Sequence, residues 1–301
     1  MRTYLHLDVF TDTLFAGNQL AVFLDGGGLE PEVMQKIARE MAFSETTFVM
    51  PAEDPSTDVR VRIFTPGTEL PMAGHPTIGT AFAMAHERRV TPEQALVTFG
   101  LGVGPTPVRL EWRDGQLGFA WMRQAVPSFG AIPNDIDQLA AMIAVDPHEI
   151  LKTNLPVQEA SSGVPMLLVP MASREGVDSA TPNVSAITHF FRGANMPEMP
   201  IYVFSFEAHA DNATVYSRMF APGFGIIEDP ATGSACGPLG GYLFHHGVVS
   251  ADDAKSMVNL QGAKMGRPSY IHISVTATEL TMTDVQVGGK SILVGSGTVN
   301  I

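Results

Sequence analysis

The sequence predicts an α+β protein in which one roll of strands around a helix is used twice. Ala73-Gly74-His75-Pro76-Thr77-Ile78-Gly79 and Ala231-Thr232-Gly233-Ser234-Ala235-Cys236-Gly237 read as the same device. Each follows a strand-like run, carries a glycine and small polar residues, and leads into an apolar stretch that fits a helix. The runs of strands around each device fit a roll better than a regular βαβ alternation. Such a repeat predicts two facing lobes. Their helix N-termini, with unpaired N–H groups and positive dipole ends, would make a site for an anion, most simply a substrate carboxylate.

Residues 3–9 and 20–24 alternate or run apolar around the turn Phe15-Ala16-Gly17-Asn18 and read as strands. Pro31 to Met41 has helical spacing at Met34, Ile37 and Met41, and Thr46 to Met50 follows as a strand. Val59, Val61 and Ile63 alternate with Arg60 and Arg62, a strand that leads to the first glycine device and a helix from about Pro76 to His86. Strands near 96–100, 107–112 and 117–122 complete a first lobe, residues 1–127. Pro127 and Phe129-Gly130-Ala131-Ile132-Pro133 read as linker. The second lobe, 128–287, is expected to carry a helix from Asn134 to Ala144, strands near 156–160 and 164–170, and a helical stretch from Asn183 to Phe191. Strands at 200–206 and 213–220 lead through Pro222-Gly223-Phe224-Gly225 to the second device and a helix stopped near His246-Gly247. Strands near 257–261, 269–276 and 279–285 follow. Ser291 to Val299 is a last strand within residues 288–301, a candidate return into the first lobe.

At 301 residues, 45 % hydrophobic and 16 % charged, the composition is globular and long enough for two cores. A formal net charge of −13, with no basic cluster denser than Arg88-Arg89, argues against nucleic acid or an anionic membrane as partner. Met1 to Phe10 alternates like a strand and carries Asp8 where a signal peptide would need an unbroken apolar core. No apolar run approaches the roughly 20 residues of a membrane span. The single cysteine, Cys236, leaves no intrachain disulfide and fits a reducing cytoplasm.

Gly100-Leu101-Gly102-Val103-Gly104 superficially suggests a dinucleotide loop, but Pro105, Pro107 and a β-branched alternating run follow where the fingerprint needs a helix, so it reads as a hairpin. Glu45 sits between a helix and a strand in Phe43-Ser44-Glu45-Thr46-Thr47-Phe48. Among apolar neighbours its carboxylate would have a raised pKa and could both take and return a proton; the plainer alternative is a helix-end residue. His75 lies at the mouth of the first helix, where the dipole favours neutral imidazole, in register with Ser234 after Gly233. Asp229 and Ser234 bracket a turn into the second helix. They fit ordinary turn and cap chemistry, or an acid for a substrate ammonium or hydroxyl beside amides that hold a carboxylate. Cys236 falls inside that helix and reads as a small core residue. The other histidines, His245-His246 included, lack metal-ligand spacing.

Asp8-Val9-Phe10 with Gly17-Asn18, Ser44-Glu45-Thr46-Thr47-Phe48, Arg62-Ile63-Phe64-Thr65-Pro66 to Gly74-His75-Pro76-Thr77, Arg218-Met219-Phe220-Ala221-Pro222, and Glu228-Asp229-Pro230-Ala231-Thr232-Gly233-Ser234-Ala235 occur in that order. Together they resemble the PhzF-like phenazine-biosynthesis isomerase family, within the diaminopimelate-epimerase fold superfamily, over nearly the whole chain. The resemblance implies two pseudo-symmetric lobes, each a curved, mainly antiparallel sheet around a central helix, with the active site in the cleft between them, a homodimer, and no cofactor or metal. It implies Glu45 as acid/base, His75 and Asp229 as polar partners that orient substrate and assist proton movement, and Gly74 and Ser234 as substrate binders, with Pro76, Thr77, Gly233 and Ala235 beside them. The implied reaction moves a proton between carbons of a small carboxylate, as in isomerisation of trans-2,3-dihydro-3-hydroxyanthranilate. Epimerases of the superfamily use two cysteines beside the glycine devices; Ala73 and Thr232 stand at those places here, so the two-thiol mechanism is absent. Gln19 replaces the proline the family usually has after Gly-Asn, a change that bears on specificity more than on fold. The alternatives are an amino-acid-type epimerase or racemase with Cys236 or His75 as second base, a non-catalytic small-anion binder, and a thiol enzyme acting through Cys236.

Overall fold

The computed structural model describes residues 1–208, 211–279 and 281–301; Leu280, within the strand expected over 279–285, lies outside them. The chain divides into two compact units, residues 1–124 with 286–301, and residues 125–285. In chain order the elements of the first half are β1 (Arg2–Val9), β2 (Asn18–Phe23), α1 (Pro31–Met41), β3 (Glu45–Pro51), β4 (Val59–Phe64), β5 (Glu69–Leu70), α2 (Gly74–His86), β6 (Leu96–Leu101), β7 (Gly104–Arg113) and β8 (Gln116–Gln124). Those of the second are β9 (Ser128–Phe129), α3 (Ile136–Met142), α4 (Pro147–Leu151), β10 (Gln158–Ser161), β11 (Pro165–Pro170), α5 (Arg174–Ser179), α6 (Val184–Gly193), β12 (Ile201–Ser205), β13 (Val215–Ala221), β14 (Ile226–Asp229), α7 (Gly233–His245), β15 (Met257–Gln261), β16 (Ser269–Thr278), β17 (Thr281–Gly289) and β18 (Ser291–Val299).

Both units thread their strands alike. In the first, hydrogen-bonded neighbours run β18-β1-β2-β3-β4-β6-β7-β8, antiparallel except for β2–β3 and β4–β6. In the second they run β9-β10-β11-β12-β13-β15-β16, antiparallel except for β11–β12 and β13–β15. Parallel neighbours cannot be joined by a hairpin and need a crossover. Accordingly α1 bridges β2 to β3, the α5–α6 segment bridges β11 to β12, and α2 and α7 bridge the other two pairs.

The two 13-residue helices α2 and α7 are the centres of their rolls. Ten residues of each are buried, on every side, as expected of a helix enclosed by a sheet rather than laid on one. Glycine makes the close approach possible. A Cβ at Gly79 would lie 2.5 Å from Leu20 Cδ2 and 2.7 Å from Val9 Cγ2, and one at Gly240 would lie 2.5 Å from Ile273 Cγ2. A smaller core under α1 packs Met34 and Ile37 on Phe23, Phe48 and Phe64, whereas the larger core of the second unit gathers Leu139, Met142, Ile187, Phe190, Phe191 and Phe220.

The differences from the expected elements are local. The helix expected over Asn134–Ala144 is confined to α3, and a separate α4 follows because Asp146 caps a new start, its carboxylate accepting from the His148 amide at 2.9 Å with Pro147 in the first turn. The segment read as linker contains β9, which pairs with β10. Helix α5, capped by Ser173, and the short strands β5 and β14 have too few residues to show a period. Gly102-Val103 forms the expected hairpin between β6 and β7.

Candidate active site

In the first unit the Gly17-Asn18 turn begins the site. Gly17 has φ +66°, and a Cβ there would lie 2.4 Å from the Val9 carbonyl oxygen, so only glycine brings the chain into β2 this way. Asp8, buried in β1, accepts from the Phe15 amide at 2.8 Å and ties down the loop before that turn. Asn18 is thereby held with its Nδ2 3.2 Å from Nδ1 of His75, the second residue of α2. On the other side of the ring, His75 Nε2 lies 3.3 Å from Oε2 of Glu45, the first residue of β3. Parallel pairing of Leu20 with Glu45 sets this register.

Glu45 is 7 % exposed and His75 3 %. Burial pushes the imidazole down to about 3, against a smaller upward pull from its backbone hydrogen bond with Gln19, so the ring is neutral at ordinary pH. Asn18 and the Glu45 carboxyl thus flank the neutral ring at its two nitrogens, Asn18 at Nδ1 and Glu45 at Nε2. The structure thus brings Glu45, His75, Gly74, Pro76 and Thr77 together at the first turn of α2. Thr77 is turned inward, its hydroxyl donating to the Ala73 carbonyl at 2.7 Å.

In the second unit Asp229 ends β14 and accepts from the Thr232 hydroxyl at 2.6 Å. Gly233, Ser234 and Ala235 form the first turn of α7, with the Ala235 amide bonded to the Thr232 carbonyl and Ser234 only partly buried. Beneath this turn lies a polar cluster that sequence reasoning missed: Tyr202, Ser217, Asn259 and Gln261, all fully buried. Tyr202 donates to Gln261 Oε1 at 2.8 Å, Asn259 Nδ2 donates to the Tyr202 hydroxyl at 2.8 Å, and Ser217 donates to Asn259 Oδ1 at 2.8 Å. Cys236 is part of it, with Asn259 Nδ2 3.5 Å from Sγ. Burial pushes its thiol up to about 12, and with no exposed surface it is neither a ready nucleophile nor a base.

Each unit also carries an arginine clamp ahead of its central helix. Arg62 grips Glu69 at 2.7 and 2.6 Å and Arg218 grips Glu228 at 2.8 and 2.9 Å, each guanidinium lying over a phenylalanine two residues on. Among the described residues no group of three or more histidine, cysteine, aspartate or glutamate side chains could hold a metal ion, and no helix is long and apolar enough to cross a membrane.

The twice-built α+β roll is the fold of an isomerase-type enzyme, and it carries a buried carboxyl–imidazole couple at the mouth of one central helix. The family model described as phenazine biosynthesis-like protein, PhzC-PhzF, matches residues 7–297, and the chain belongs to that family. It is 34 % identical over 299 residues to an uncharacterised isomerase of Mesorhizobium japonicum, covering 98 % of each chain. It is 33 % identical over 300 residues to the trans-2,3-dihydro-3-hydroxyanthranilate isomerase of Pseudomonas fluorescens, covering 99 % of each. The crystal structure of a PhzF-family phenazine biosynthesis protein from Bacillus anthracis superposes with a TM-score of 0.87 at 27 % identity, covering 100 % of this chain and 99 % of the other.

Proposed function

We propose that this isomerase moves a proton between two carbons of a small carboxylate substrate without a cofactor. Glu45 is the acid/base, His75 and Asp229 are the polar partners that orient substrate and assist the proton, and Gly74, Pro76, Thr77, Gly233, Ser234 and Ala235 are substrate contacts. The observation that carries this reading is the buried Glu45–His75 pair, 3.3 Å apart with a neutral ring. Glu45 would remove an acidic C–H proton and return it further along the conjugated system. The neutral imidazole of His75 and the helix amides would stabilise the enol or dienol charge that develops between the two steps. A single carboxyl suits transfer along one face of a substrate. Inversion of a centre needs groups on both faces, and the buried, high-pKa thiol of Cys236 speaks against that role.

Trans-2,3-dihydro-3-hydroxyanthranilate, named in the Pseudomonas fluorescens relative, is the first substrate to test. Incubated with it in D₂O, wild-type protein is expected to give product carrying solvent deuterium, and Glu45→Gln to give neither turnover nor exchange while still binding. Activity retained in Glu45→Gln would remove Glu45 from its role. A folded wild-type protein without turnover would reject this substrate and direct a screen of small carboxylates for C–H exchange. The same reading takes a homodimer as the solution state, checked by sedimentation equilibrium.

A further inference from the structure

The two rolls share one frame and differ in polarity at, among others, three positions that are bonded together in the second. Arg62 corresponds to Arg218, Glu69 to Glu228, Pro71 to Pro230, Gly74 to Gly233 and Gly102 to Gly262. The last pair is anchored by contact: a Cβ at Gly102 would lie 2.6 Å from Pro71 Cα, and one at Gly262 would lie 2.4 Å from the Pro230 carbonyl oxygen. Counting from these anchors, Leu70, Ala73 and Leu101 of the first roll stand where the second has Asp229, Thr232 and Gln261. Strand register agrees. The parallel pairing that sets Ser217 beside Gln261 has its counterpart in the pairing of Val59 with Phe99 and Arg60 with Gly100, one residue short of Val61 and Leu101.

Asp229, Thr232 and Gln261 are bonded to one another. Gln261 Nε2 donates to the Asp229 carbonyl at 2.8 Å and to Thr232 Oγ1 at 2.9 Å, while its Oε1 accepts from the Thr232 amide at 3.0 Å and from Tyr202. Thr232 Oγ1 in turn donates to the Asp229 carboxylate. Burying such a set costs desolvation that apolar side chains avoid. Since the first roll closes the same frame with leucine, alanine and leucine, the fold does not require the polar set.

We infer that Gln261 is a positioning residue for the reaction: it fixes the 229–232 turn so that the Asp229 carboxylate and the first amides of α7 keep the arrangement that receives substrate. This rests on the reading of Asp229 and Gly233–Ala235 as substrate contacts. Gln261 itself touches no substrate; it acts through the turn.

The test replaces Gln261 by the residue of the first roll, Gln261→Leu, with Thr232→Val as a second variant should the first not fold. Kinetics on trans-2,3-dihydro-3-hydroxyanthranilate and hydrogen–deuterium exchange across 229–236 are both measured. Expected are a rise in KM of about tenfold with kcat changed much less, and faster exchange at 229–236 than in wild type. A merely structural role would lower the folded, active fraction, reducing apparent kcat and leaving KM alone; that pattern overturns the assignment. Absence of turnover in wild type is the failure of the substrate reading, and exchange then decides. A variant turn that exchanges as slowly as wild type overturns the positioning role, and selective loosening of 229–236 supports it.

Discussion

His75 is kept neutral by burial, and that has a measurable cost in acid. Its ring titrates near 6.5 when exposed in the unfolded chain and at about 3 in the folded one, so between those values the unfolded state binds the extra proton. This contribution to stability is full above 6.5 and is lost as pH falls towards 3. Thermal melts of wild type and His75→Gln at pH 7 and pH 4.5 should show wild type losing more of its melting temperature. Parallel loss in both would mean that the ring is not neutral when folded. The same neutrality predicts that His75 adds no limb to the kcat/KM profile between pH 5 and 8. His75→Ala should lower turnover by roughly 10²-fold if the imidazole assists proton movement.

Glycine positions set the close packing of elements, and two of them rank the cost of a single methyl group. At Gly79 the obstacles are the Leu20 and Val9 side chains, which can shift, so Gly79→Ala should cost about 1–3 kcal/mol, an overpacking penalty. At Gly17 the obstacle is a backbone oxygen and φ is positive, so Gly17→Ala should cost more and should also disturb Asn18 beside His75. Urea unfolding of both variants tests the order. The arginine clamps rank in the same way. Arg218, 8 % exposed, also donates to the carbonyls of Val177, Asp178 and Ala180, whereas Arg62 is 17 % exposed. Arg218→Met leaves Glu228 and three carbonyls without that donor and should destabilise by about 3 kcal/mol or more. Arg62→Met should cost clearly less.

At the scale of the whole chain, an edge strand of each unit comes directly after another strand in chain order. β9, which follows β8, pairs with β10, and β18, which follows β17, pairs along the length of β1. Removing residues 290–301 would leave β1 with one partner strand instead of two. The truncated chain is expected to lose its cooperative melt, and a sharp transition near that of wild type would show that β18 is dispensable. Cys236 reports opening of the second unit. Fully buried with a raised thiol pKa, it should resist iodoacetamide in native protein and react only as fast as that unit unfolds, so labelling should accelerate with urea.

The amino-acid sequence by itself determined the α+β class, the two glycine devices, the central helices and the family, because each is written in contiguous residues: Gly74-His75 and Gly233-Ser234 at helix starts, and alternation along the strands. Glu45 and His75 were legible as candidates one at a time, but not their distance, which depends on pairing Leu20 with Glu45 and on Gly17 turning the chain. The cluster of Tyr202, Ser217, Asn259 and Gln261 was not legible at all. On β15, Asn259 and Gln261 flank Leu260, an alternation that ordinarily marks a solvent-facing polar side. Only tertiary structure decided otherwise: Leu260 enters the core of the second unit while Asn259 and Gln261 bond to groups of α7 and its leading turn, so both faces of the strand are covered and the polar one becomes an interior.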